Sequence, residues 1–137
     1  MSLVSGIRRS SRRLLVSSLA VAALGACAGQ SLTPFQPQIS SPTDNFQLQA
    51  TSVTDVSTTV TYTWVNTGTR ATVNHSTTTT AGSTLVVIKD AAGVVVYTRT
   101  LSPSLNEPSI AGQAGSWTIQ LTLLRYSGTL NLRVQKL

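Results

Sequence analysis

From Asn45 onward, apolar and polar residues alternate with a period of two, the pattern of strands that bury one face. "NFQLQATS" puts Phe46, Leu48 and Ala50 on one side and Gln47, Gln49 and Thr51 on the other. "TTVTYTWVN" turns Val60, Tyr62 and Trp64 inward and Thr59, Thr61 and Thr63 outward. "RATVNHSTTT" reads as a weaker strand around Ala71 and Val73. "STLVVIKD" and "GVVVYTRTL" are two more, joined by "DAAG". Asp90 can bond the turn backbone there and Gly93 can take a positive φ, which is a hairpin signal. "SWTIQLTLL" aligns Trp117, Ile119, Leu121 and Leu123, and "GTLNLRVQKL" aligns Leu130, Leu132 and Val134. "RYSG" (Arg125 to Gly128) is expected to turn between these two. About seven strands without any helical periodicity predict an all-β fold, an antiparallel β-sandwich of immunoglobulin-like or jelly-roll-like form.

The pattern upstream is different. Residues 28–44, "AGQSLTPFQPQISSPTD", carry three prolines among Ser, Thr and Gln, and read as an extended tether. Phe35 and Ile39 are the residues of that stretch able to dock on a domain. Before it, Arg8, Arg9, Arg12 and Arg13 precede an apolar run from Leu14 to Ala26. The run is shorter than the roughly 20 residues a membrane-spanning helix needs. A basic head, a short apolar middle and small residues at the end make a signal peptide. The expected organisation is a signal over 1–26, a lipidated N-terminus and tether over 27–44, and a β-sandwich over 45–137.

The apolar run ends in "LGAC", which holds the only cysteine of the chain. This resembles the lipobox of bacterial lipoprotein precursors, with Leu24 at the aliphatic position and Gly25 and Ala26 at the small ones. The resemblance implies cleavage between Ala26 and Cys27 and lipidation of Cys27. A thiolate is the strongest common side-chain nucleophile, suited to alkylation by a diacylglyceryl donor. Two or more acyl chains give stable membrane anchoring. With Ala28 after the cysteine, the resemblance implies sorting to the outer membrane where a cell has two. "SRRLLV" (Ser11 to Val16) also resembles a twin-arginine export signal, with Leu15 where that pattern has Phe; an ordinary secretory signal explains the arginines equally well.

Processing changes the charge picture. The chain has a formal net charge of +6, from ten Lys and Arg against four Asp and Glu. Four of the ten bases lie in the signal. The remainder keeps six bases against four acids, a mild +2 with no basic stripe. Nucleic acid is therefore not an expected partner.

Chemistry-bearing residues are few. His75 is the only histidine and reads as an exposed loop residue. Zinc needs three or four ligands, and an acyl-transfer triad needs a base with an orienting carboxylate. Neither set is present once Cys27 is lipidated, so no catalytic residue, metal or cofactor is expected. Asp90 is expected to form its turn rather than bind calcium. Trp64 and Trp117 read as core anchors. The longest irregular stretch, Ser102 to Ser116, is a crossover between sheets or a binding loop, with Asn106, Glu107 and Gln113 as its candidate contact residues. The outward threonines read as a solvated strand face.

Asp90, Gly93, Gly115, Trp117, Ile119 and Gly128, within Leu85 to Val134, also resemble the punctuation of jelly-roll accessory domains beside secreted bacterial proteases. That resemblance implies a non-catalytic module. The expected function is a membrane-anchored extracytoplasmic lipoprotein whose sandwich serves protein–protein or structural interaction in the cell envelope. The alternatives are a carbohydrate- or small-ligand-binding module and a cryptic hydrolase. An exposed aromatic pair would mark the first, and a cleft joining His75 to an acid and a hydroxyl the second.

Overall fold

Two strands of 22 residues each, β2 (Asn45–Asn66) and β7 (Gly115–Lys136), form the spine of the structure. The computed structural model describes residues 35–101 and 103–137. Ala26, Cys27 and the signal lie outside the described residues. The other strands are β1 (Gln38–Ser40), β3 (Ala71–Ser76), β4 (Thr78–Lys89), β5 (Val95–Thr100) and β6 (Ser104–Pro108). The fold is all-β, and every pairing is antiparallel.

β2 pairs with β7 from Asn45 opposite Gln135 to Asn66 opposite Gly115. The other edge of β7 carries β4 along Thr118–Thr129 and then β3 along Leu132–Lys136. Outside these, β5 pairs with β4 and β6 with β3. β3 and β4 therefore follow one another along β7, and β6 and β5 lie outside them.

The sheet is folded across its middle. Phe46 and Tyr62 belong to one strand, and an extended chain would hold them about 50 Å apart. Their ring centroids are 5.7 Å apart instead. One layer holds β1, the start of β2, the end of β7, β3 and β6; the other holds the rest. The crease is built from bulges, which bend a strand and sharpen its twist. The β2 register slips three times between Ala50 and Thr58. Ser52 and Asp55 take φ of 55° and 48° there, and Arg125 and Gly128 take 46° and 143° in β7. A side chain at Gly128 would run into the Thr78 carbonyl, and one at Gly82 into the carbonyls of Leu124 and Arg125.

The alternating apolar residues fill the space between the layers. Phe46, Leu48, Trp64, Trp117, Ile119, Leu121, Leu130, Leu132 and Val134 are all buried. Trp64 and Trp117 sit opposite each other in register and meet edge to face, with centroids 5.8 Å apart. Burying each large side chain contributes about 1.5–3 kcal/mol, and an aromatic pair adds about 0.5–1.5.

The inward faces match those expected from the sequence, but the breaks between strands do not. "NFQLQATS" and "TTVTYTWVN" are two arms of β2. "RYSG" is a crease inside β7, not a turn. Arg125 and Gly128 are at positive φ there, which suits a bulge as well as a turn, so the punctuation was real and its meaning different. The stretch from Ser102 to Ser116 contains β6, with Leu105 and Glu107 half-buried in alternation. Ile39 pairs with Leu48 in β1, inside the expected tether, and Phe35 packs on the core. The seven strands observed are thus not the seven read from the sequence.

Candidate functional site

The candidate residue Glu107 lies in the groove between β5 and β6, where the edges of the two layers come side by side. Crease geometry brings these strands together, since each follows its own layer away from the bend. The Ile110 amide donates to the Val96 carbonyl at 3.0 Å and ties the two walls. The groove has a volume of about 310 Å³ and is walled by Val95, Val96, Pro108 and Ile110. Its floor carries the polar groups. Arg99 Nε donates to Glu107 Oε1 at 2.6 Å and Nη2 to Oε2 at 3.3 Å. The Tyr97 hydroxyl donates to the same Oε1 at 3.1 Å.

The electrostatics follow from those bonds. The Arg99 hydrogen bond holds the Glu107 carboxyl below its usual range, helped by the Tyr97 hydroxyl and by the Arg99 charge. Burial pushes the Tyr97 phenol well up, and the Glu107 carboxylate adds to that. Glu107 is consequently a fixed anion with both oxygens engaged. A general base must be free to take a proton and a general acid must hold one near the working pH. Both Glu107 oxygens are already engaged, by Arg99 and Tyr97.

Asn106, Glu107 and Gln113 do not converge. Asn106 and Glu107 are successive residues of β6, so they point to opposite sides of the strand, and Asn106 is exposed. Gln113 acts through its backbone. Its amide donates to Asp90 Oδ2 at 2.8 Å, and its carbonyl accepts from Trp117 Nε1 at 2.6 Å. Asp90 also accepts from the amides of Ala92 and Val94 through Oδ1. The Gln113 amide, then those of its own turn, hold the Asp90 carboxyl below its usual range. Asp90 is thus the turn former expected from "DAAG", with a second loop hung on it. Gly93 takes φ 80° as that turn requires.

His75 corrects an expectation. It is not an exposed loop residue but lies inside β3, 1% exposed, opposite Leu132 and Leu105. Its place in the alternation Ala71, Val73, His75 was the available signal, obscured by the polar run that follows. No substrate reaches it there. Among the described residues, no three His, Cys, Asp or Glu are grouped to hold a metal ion. None of the seven aromatic residues, two Phe, three Tyr and two Trp, is exposed. The pair that would mark a sugar-stacking surface is therefore missing among the described residues.

Further hollows lie beside β1 and the residues leading into it. One, of about 320 Å³, lies between Gln38, Ile39, Gln47, Gln49, Asn131 and Arg133. Another, of about 210 Å³, lies at the crease between Phe35, Ala50 and Val56. Neither contains a carboxylate, a histidine or a thiol.

No protein-family model matches the sequence. No curated protein matches it. Among solved structures, the chain has a weak likeness to a structure of accessory secretory protein 1,2 and 3 in Streptococcus pneumoniae. The identity is 6%, the alignment covers 79% of this chain and 90% of that one, and the TM-score is 0.38. A second weak likeness is to CsCBM6-3 from Clostridium stercorarium in complex with cellobiose. There the identity is 14%, the coverage 77% and 90%, and the TM-score 0.30.

Proposed function

We propose that this chain is a lipid-anchored lipoprotein of the bacterial cell envelope whose β-sandwich is a non-catalytic interaction module. The observation that carries the reading is "LGAC" behind four arginines and a short apolar run. The fold supports the second half. Its acids are spent on structure or lie apart, its histidine is sealed in β3, and its aromatics are in the core. These features argue against the hydrolase and the sugar-stacking alternatives.

The test is metabolic labelling with palmitate of the full chain in a bacterium. Label on the wild type and none on Cys27→Ser is expected. Equal label on both would remove the anchor from this reading.

A further inference from the structure

We propose that the outer edge of β2, around Val60, pairs antiparallel with the same edge of a second copy of this chain. The β2 backbone shows which groups are available. The Val65 carbonyl accepts from the Asp44 amide at 2.8 Å and the Thr63 carbonyl from Ser41 Oγ at 3.1 Å. Both acceptors thus face away from β7. Antiparallel ladders alternate residue by residue, so Thr59 and Thr61 also turn their N–H and C=O outward. β1 covers only Gln47–Gln49 of this edge, and the Ser41–Asp44 segment begins to cover it again at Thr63. Among the described residues no strand pairs with the stretch between.

An unpaired edge is a template for another strand, and proteins blunt such edges with charge, proline, bulges or a covering loop. The other edges of this sheet are blunted, β6 by Pro103 before it and Pro108 at its end. β1 is three residues long and sits between Pro37 and Pro42. β5 is tied over at Val96 by Ile110 and carries the Arg99–Glu107 ion pair. The β2 register slips end at Thr58, so among the described residues the edge from Thr58 to Tyr62, "TTVTY", has none of these devices.

Symmetry makes this edge its own complement. In a two-fold pairing residue i meets residue j and j meets i, so an edge serves both copies when such pairs match. This stretch has no charge. With the axis at Val60, Thr59 of one copy stands opposite Thr61 of the other. Each such pair exchanges two backbone hydrogen bonds, four in all, and threonine opposite threonine is a favourable cross-strand pair. The same threonines stand on the outer face, where Thr59 bonds Thr122 at 3.2 Å. Pairing would carry that uncharged face across both copies. The inference names a partner for the interaction role but requires neither the anchor nor its location, so its failure leaves those standing.

The experiment is sedimentation and amide hydrogen exchange of the full chain in a mild nonionic detergent across a range of concentrations. The wild type is expected to form dimers, with Thr59 and Thr61 amides gaining protection as concentration rises. Thr59→Lys with Thr61→Lys sets like charges directly opposite and should weaken association at least about tenfold. Thr98→Lys, on the same face but in β5, should leave it intact. A monomer throughout, or a dimer indifferent to the β2 lysines, would overturn the proposal. So would concentration-independent protection of those two amides, since the chain's own N-terminal residues would then hold the edge.

Discussion

Asp44 accepts from the Thr67 amide at 2.7 Å and from the Thr67 hydroxyl, and pairs with Lys136 Nζ at 2.9 Å. It joins the start of β2 to the end of β7, much as Asp90 joins two loops and Glu107 joins β5 to β6. Each carboxyl is held below its ordinary range, Asp44 first by the Thr67 amide and then by Lys136. A carboxyl with a lowered folded value binds its proton more weakly folded than unfolded. Its contribution is present above the unfolded value and is lost as pH falls through the folded one. Stability should therefore begin to drop as pH passes below 4.5 for Glu107 and 3.8 for the aspartates. Urea midpoints measured from pH 6 down to about 2 should fall, and fall less steeply in a variant carrying Asp44→Asn, Asp90→Asn and Glu107→Gln. Equal slopes in the two proteins would show that these three groups are not the source.

The element that defines the architecture is a creased strand, and its weak point is glycine. Gly128 sits at φ 143° against the Thr78 carbonyl, whereas Gly93 sits at φ 80° with open space around it. Backbone strain alone costs about 1–3 kcal/mol at either position. Gly128→Ala must also push β4 off β7. It should lower the denaturation midpoint clearly more than Gly93→Ala, and equal losses would argue that the crease is loosely packed. Much of this level was legible in the chain. The inward residues of both long strands follow from period two, and the Asp90 hairpin from its turn chemistry. The crease was not, because Ser52, Asp55 and Gly128 look the same whether a chain turns back or bends within a strand. β6 was hidden by Pro103 and Pro108, which read as loop but are tolerated at an edge strand. His75 was hidden by its polar neighbours. Glu107 was legible as a candidate, but its engagement depends on Arg99 and Tyr97 arriving from another layer, which no local pattern encodes.

At the scale of the whole molecule, the described residues form a single sheet folded on itself, with two layers around an apolar core. Among the described residues, the carboxylates of Asp44, Asp90 and Glu107 tie its own strands and loops together. The crease and the Asp90 hairpin lie at opposite ends of the folded sheet, about 25 Å apart along β7. The β2 edge supplies a site for self-pairing that does not depend on the loops. The proposed lipid anchor is tested most directly by the intact mass of the N-terminal peptide of the mature protein, purified from bacterial membranes. A peptide that begins at Cys27 and carries a diacylglyceryl group on its sulfur is the predicted result. A peptide that begins elsewhere, or that begins at Cys27 with a free thiol, would contradict it.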